Sequence, residues 1–322
     1  MENTPLSRIN LYDKVNATVL GWVTSEMPKL NQLRAKNAYS DSPTMPDLVD
    51  MQLKVVQIDG VKIRYSRVEN PGKPKLVLLS PFPQSIVGFA TIWTALTQRY
   101  DVLAYDLPGF GMSEGGVPFM NFKAQGDFLP KVLDHFELKD VHLLGPDVGM
   151  PTALYYVAVH EHRVKSVMIG DGPGIAPSSN ASVIRKMVDS AFWRMVFRVA
   201  GSGALIEAGT RICNVRYTPN VYELSDYKRS YQGRVATVLE WFRGYPESLA
   251  VLDPLLHQVS VPALIFWGSD DAILYVDNGE RLHERLPNSR LKVFEDCGHF
   301  AYQDCHEEFV GMVESWIEEH EG

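Results

Sequence analysis

An aspartate stands between two glycines in Gly145-Pro146-Asp147-Val148-Gly149, directly after the apolar run at 141–144. The frame Gly-x-Nuc-x-Gly is a sharp strand-to-helix turn that holds a nucleophile exposed, with small residues on both sides so that the backbone can bend. Here the nucleophile is a carboxylate. A carboxylate attacking an acyl carbonyl makes a labile anhydride, whereas one attacking a saturated carbon makes an ester that a histidine-activated water then cleaves. Epoxides and alkyl halides suit that chemistry; esters and amides do not. Gly and Asp also populate ordinary turns, so the frame takes its meaning from its partners. Asp270 and Asp271 follow a strand-like run at 263–267, and Gly298-His299 follows another at 291–294. Nucleophile, acid and histidine therefore occur in the chain order of a known triad architecture.

Ligands in open parallel sheets bind beyond the carboxyl ends of the strands, which is where these residues fall. The segments 55–58 and 61–65 flank Asp59-Gly60 and read as a hairpin. The continuous apolar run at 76–79 suits a strand buried on both faces. Helix 86–98 precedes strand 102–105, helix 122–136 precedes strand 141–144, and helix 151–160 precedes strand 165–169. That alternation predicts an α/β fold, a mostly parallel sheet with helices on both faces. Between 170 and 260 the strands stop, and a stretch rich in Trp, Tyr, Phe, Met and Arg reads as an inserted helical cap. A final helix from 306 carries Phe309, Met312, Val313, Trp316 and Ile317 on one stripe and is expected to pack on the sheet. A helical lead at 11–36 and a polar link through Ser42, Pro43 and Pro46 come first. Its apolar positions suit either the main core or a contact between two copies, which leaves a homodimer open. The expected organisation is an extension at 1–52, a core at 53–172 and 261–322, and a cap at 173–260.

The chain has 322 residues, 45% of them apolar, enough to bury a large core. Its 31 basic and 39 acidic residues leave a net charge of -8 without a basic run, which argues against a nucleic-acid partner. Residues 1–12 lack a signal-peptide layout, and no stretch approaches about 18 uninterrupted apolar residues, so no membrane span and a cytoplasmic location are expected. Cys213, Cys297 and Cys305 have no metal or disulfide spacing and read as reduced core or surface thiols.

From 57 to 317 the chain resembles an α/β-hydrolase of the epoxide hydrolase and haloalkane dehalogenase group. The resemblance is carried by the elbow around Asp147, by YDVLAYDLPGFGMS at 100–113 and by EDCGHFAYQ at 295–303. It implies a cofactor-free enzyme, with water as co-substrate and no metal. Asp147 would attack the substrate carbon, His299 would activate the water, and Asp271 would orient His299. Asp271 fits the family spacing Trp-Gly-x-x-Asp from Trp267; Asp171, where some dehalogenases carry their acid, and Asp270 remain alternatives. The oxyanion donors map to the backbone N–H groups of Phe82 and Val148. The family's His-Gly-x-Pro loop is here Ser80-Pro81-Phe82-Pro83, and Pro83 holds a position that is often cis in the family.

The leaving group separates two expectations. Epoxide hydrolases of this kind project two cap tyrosines at the ring oxygen, but here Trp193 and Phe242 occupy the matching places, and a phenyl ring cannot donate. Tyr245 is the first substitute among Tyr217, Tyr222, Tyr227, Tyr231 and Tyr245. Trp193 suits halide, yet Val148 and Phe82 stand where haloalkane dehalogenases carry tryptophan and asparagine, and the arginines of haloacid enzymes are missing near Val148 and Met150. The resemblance thus favours a hydrophobic epoxide opened to a vicinal diol, with dehalogenation second and a catalytically silent binding member third. His135, His160 and His162 read as structural or surface groups, Arg194 and Arg198 as a solvated face, and the N-terminal helix is a candidate guard of the pocket mouth.

Overall fold

A computed structural model describes residues 6–22, 24–40, 42–47, 49, 51–160 and 163–321. Eight strands form one sheet: β1 (Lys54–Ile58), β2 (Val61–Val68), β3 (Lys75–Leu79), β4 (Asp101–Tyr105), β5 (Val141–Pro146), β6 (Val164–Gly170), β7 (Ala263–Gly268) and β8 (Ser289–Phe294). Their spatial order is β1-β2-β4-β3-β5-β6-β7-β8, antiparallel at β1/β2 and β2/β4 and parallel from β4 to β8. The Asp59-Gly60 turn has φ of 45° and 80°, the left-handed pair that suits a tight hairpin. After β3 the chain steps outward to β4 and returns to the other side of β3 as β5. The loops after β3 and β5 are therefore neighbours, and a cleft opens where the winding reverses.

Helices cover both faces of this sheet: α3 (Ala90–Arg99), α4 (Phe122–His135), α5 (Gly149–Val159), α10 (Asp277–Arg285), α11 (Ala301–Asp304) and α12 (His306–His320). Phe309, Val313, Trp316 and Ile317 of α12 are buried, as their spacing predicts, while Met312 is partly buried. The strands of the parallel region are fully buried in β5 and β7, which their continuous apolar text requires.

The sequence reading differs from the structure at several element boundaries. The helical lead is two helices, α1 (Leu11–Trp22) and α2 (Met27–Lys36), because Thr24, Ser25 and Pro28 interrupt the run. The first turn of the predicted 86–98 helix is 3₁₀, capped by the Ser85 side chain. Helices α10 and α11 were not expected, since α10 is strongly polar and α11 is a single turn.

Between β6 and β7 lie α6 (Ser182–Asp189), α7 (Ala191–Cys213), α8 (Val221–Tyr231) and α9 (Val235–Leu252). Gly201 breaks α7 with φ 83°. A buried ion cluster fastens this helical layer to the sheet. Arg64 of β2 reaches Asp106 after β4 at 2.5 Å and Asp226 of α8 at 2.6 Å, and the Ser85 hydroxyl donates to Asp226 at 2.6 Å. All three charged groups are buried, so each depends on the others for solvation.

Candidate active site

Asp147 sits at the tip of the β5–α5 turn with φ 50°, a left-handed conformation that a side chain rarely adopts. The flanking glycines make the turn physically allowable. A Cβ on Gly145 would stand 2.6 Å from the Gly149 carbonyl oxygen, and one on Gly149 would stand 2.9 Å from Leu79 Cβ. Backbone bonds fix the elbow, with Asp147 N donating to Gly170 O at 2.9 Å and Met150 N to Asp147 O at 3.1 Å.

The Asp147 carboxylate is gripped from two sides. Phe82 N donates to Oδ1 at 2.7 Å, and His299 Nε2 lies 3.3 Å from Oδ2. His299 Nδ1 is 2.8 Å from Asp271 Oδ2, and the other oxygen of Asp271 accepts from Ile273 N at 2.7 Å and Leu274 N at 3.0 Å. His299 N in turn donates to Cys213 O at 2.7 Å, tying the histidine loop to the end of α7. Burial by itself would lower the His299 pKa, but the carboxylates of Asp271 and Asp147 outweigh it and hold the imidazole well above its usual value. A doubly protonated ring donates to both carboxylates at once, which matches the geometry.

The other two acids occupy different environments. Asp270 turns outward and pairs with Lys29 at 3.1 Å. Asp171 is fully buried at the end of β6 with φ 54°; one oxygen accepts from Gly268 N at 3.3 Å and the other has no partner among the described residues. Burial, followed by the charge of nearby Asp271, pushes the Asp171 carboxyl well above the usual range.

In the first loop the Ser80 hydroxyl accepts from Leu107 N at 3.0 Å and pins the end of β3 to the turn after β4. Pro81 has no N–H, but the amide that faces Asp147 belongs to Phe82. The Phe82–Pro83 bond is cis. Val148 is buried at the start of α5, where the first helical N–H groups have no acceptor within the helix.

Above Asp147 and His299 is a narrow cavity of about 60 Å³, lined by Phe82, Pro83, Trp241, Phe242 and Tyr245 among others. Leu20 of α1 also lines it, so the N-terminal helix contributes to the pocket wall. Trp193 does not; it is partly buried beside Phe192, with Lys186 over its ring. The wall position on α7 belongs instead to Phe197, which lies one helical turn further along. Phe242 meets Phe82 edge-on at 5.4 Å. Of the tyrosines between β6 and β7, Tyr217 bonds Glu223, Tyr231 donates to Gln84 O, Tyr227 lies against Gln303, and Tyr222 is exposed. Tyr245 remains, buried and without a hydrogen bond of ordinary geometry, its pKa pushed up to about 12 by burial.

Trp241 was overlooked in the sequence. It lines the cavity 5.6 Å from the Tyr245 ring, and its buried indole N–H likewise has no partner among the described residues. The signal was its i, i+4 spacing to Tyr245 on α9. Among the other groups singled out, His160 lies 3.8 Å from Asp127, His135 is exposed, and His162 is outside the described residues. The three cysteines are free and buried. No cluster of metal-ligating side chains occurs among the described residues.

Comparison with known proteins places this geometry in a family. The alpha/beta hydrolase fold family model matches residues 74–304. The uncharacterized hydrolase YugF of Bacillus subtilis is 25% identical over 77% of this chain and 91% of its own length. A 2-hydroxy-6-oxononadienedioate/2-hydroxy-6-oxononatrienedioate hydrolase of Cupriavidus pinatubonensis is 29% identical over 68% of this chain and 76% of its own. The solved structure of epoxide hydrolase CorEH superposes with a TM-score of 0.68 at 21% identity, covering 81% of this chain and 96% of that one. At that identity the likeness speaks for the fold alone. With the family model spanning the strand ends that carry Phe82, Asp147, Asp271 and His299, the chain belongs to the alpha/beta hydrolase fold family.

Proposed function

We propose that this hydrolase acts on an apolar epoxide through an Asp147 ester, with residues 173–260 serving as the cap of its site. The observation that carries the reading is a carboxylate, bonded to His299 and Phe82 N, at the floor of an apolar cavity. An Asp147 oxygen bonds to an epoxide carbon while the ring C–O bond breaks. In this reading Tyr245 O–H or Trp241 N–H, from side chains of the cavity wall, donates to the departing oxygen. Esterification removes the Asp147 charge, so the His299 pKa falls and its proton passes to the alkoxide. The neutral imidazole then takes a proton from water, whose oxygen attacks the ester carbonyl. Phe82 N–H and Val148 N–H stabilise the resulting oxyanion. Cleavage returns the Asp147 carboxylate, the imidazolium and a vicinal diol.

The unpartnered Trp241 N–H favours one second reading, an alkyl halide whose halide ion leaves toward that donor. A dicarboxylate such as the one named for the Cupriavidus relative suits this cavity poorly, because no Lys or Arg is among its lining residues. A silent binding member has least support, since nothing in a simple binding role calls for the strained Asp147 or the bonded His299. The test is intact-protein mass spectrometry of His299→Gln after exposure to epoxide and haloalkane panels. A gain equal to the whole epoxide, mapped to Asp147, is expected. A gain equal to the alkyl group without halogen would make it a dehalogenase, and no adduct on folded protein from either panel would sink the ester mechanism.

A further inference from the structure

Two helices of the layer over the cavity are apolar on both sides. Leu20 of α1 and Phe197 of α7 line the cavity. On the opposite sides of the same helices, Leu11, Val15 and Trp22 are 77, 55 and 80% exposed, and Phe192, Met195 and Val199 are 68, 64 and 70% exposed. The spacings i, i+4, i+11 and i, i+3, i+7 put each set on one helical face. Single exposed apolar residues are ordinary, but paired stripes ending in Trp and Phe mark an interaction surface. The charge around them is opposite to that of the whole molecule. Segments 8–22 and 182–200 hold six basic residues against two acidic ones, Asp13 and Asp189, while the chain carries -8. Asp13 is buried and paired with Lys228 at 2.6 Å, which leaves Lys14 and Arg198 exposed on the helices that carry the stripes, with Arg185 and Asp189 exposed on α6.

We propose that α1 and the first half of α7 seat this protein on an anionic lipid surface. The apolar stripes enter the boundary between headgroups and acyl chains, and the flanking cations meet the headgroups. A lipid surface fits better than a second copy, because two such cationic faces would repel where an anionic bilayer attracts. The seating is peripheral, since no helix among the described residues is long and apolar enough to cross a membrane. It also sets the apolar cavity directly behind the seated helices, so that a lipid-dissolved substrate is collected at the surface; this last consequence rests on the function proposed above.

Flotation of the full chain with phosphatidylcholine vesicles, with and without phosphatidylglycerol, tests the seating without any substrate. Binding to the anionic vesicles that weakens with salt is expected. Trp22→Glu with Phe192→Glu should lower the bound fraction roughly tenfold, and Lys14→Glu with Arg198→Glu should remove the preference for anionic vesicles. The milder pair Val15→Ser and Val199→Ser, expected to bind several-fold less, guards against a folding defect, which circular dichroism reads directly. Absence of wild-type binding to anionic vesicles, or equal binding by all variants, would overturn the proposal. A dimer in light scattering that Trp22→Glu dissociates, with no vesicle binding, would also overturn it and give the face to a second copy. Loss of vesicle binding leaves the His299→Gln adduct untouched, and absence of an adduct leaves vesicle binding untouched, so the two readings fail separately.

Discussion

The floor and the roof of the cavity are built on different physics. Asp147, Asp271 and His299 stand at strand ends, Asp147 and His299 held by hydrogen bonds with backbone of other segments and Asp271 by the backbone of its own turn, and the elbow stores a positive φ that its glycines permit. The roof consists of helices whose inner faces offer mainly apolar surface, with Trp241 and Tyr245 of α9 among the lining side chains. A floor position is set by directional bonds. A roof position is set by packing, which accepts any side chain of similar size and shape. The strand ends thus carry the polar groups at defined positions, whereas the roof above them is specified only by size and shape.

The sharpest way to break the contrast is at the floor. Asp271→Asn should lower turnover by roughly a thousandfold or more, because His299 loses its orientation and the charge that stabilises its protonated form. Asp271 raises the His299 pKa, so the residual rate of ester hydrolysis should rise with pH at lower pH than in the wild type; a pH profile of the single-turnover rate checks the sign. A profile that did not move would place the controlling acid elsewhere, with Asp171 first in line.

Next in size is the joint between floor and roof. Arg64→Met leaves Asp106 and Asp226 buried without their cation and should cost about 3–5 kcal/mol in urea unfolding. A loss under roughly 1 kcal/mol would show that the helical layer is held by apolar packing alone.

The roof itself should respond mildly. Tyr245→Phe and Trp241→Phe each remove one donor and are expected to lower the alkylation rate about tenfold, with hydrolysis of the trapped ester unchanged. Trp193→Phe should leave both steps as they are, since Trp193 is not part of the cavity wall. Equal effects from all three would remove the distinction drawn between them.

The smallest effect separates the two buried acids. Because the folded pKa of Asp171 is raised, its contribution to stability is fully present below the ordinary aspartate value and is lost as pH rises toward the folded value. Asp171→Asn should therefore melt like the wild type in acid and at least about 3 °C higher at alkaline pH, read by a thermal melt series. A difference independent of pH would mean that Asp171 is ionised in the folded protein.

Much of this molecule was legible before folding. Strand-like runs separated by helical periods specify a parallel sheet, because each strand in such a sheet must be apolar on both faces; β3, β4, β5 and β7 obey this in full or nearly so. Strand ends then mark where functional groups fall, which is why Asp147 and His299 could be singled out from local text. Spacing from Trp267 favoured Asp271 over Asp171 and Asp270, but the contact itself is not local. Asp270 and Asp271 are adjacent in the chain yet point to Lys29 and His299, and only the path of the turn after β7 separates them. Trp193 and Trp241 show the same limit in the roof. Helical periodicity says that each has a buried side, but which side meets the cavity depends on how α7 bends at Gly201 and how α9 packs against α6 and α7. Sequence by itself determined the sheet and the kinds of group at its edge, since those follow from periodicity and turn chemistry over short range. Tertiary structure alone brought the acid that spacing favoured against the histidine and decided which roof aromatics line the cavity, since those depend on relative placements of segments far apart in the chain.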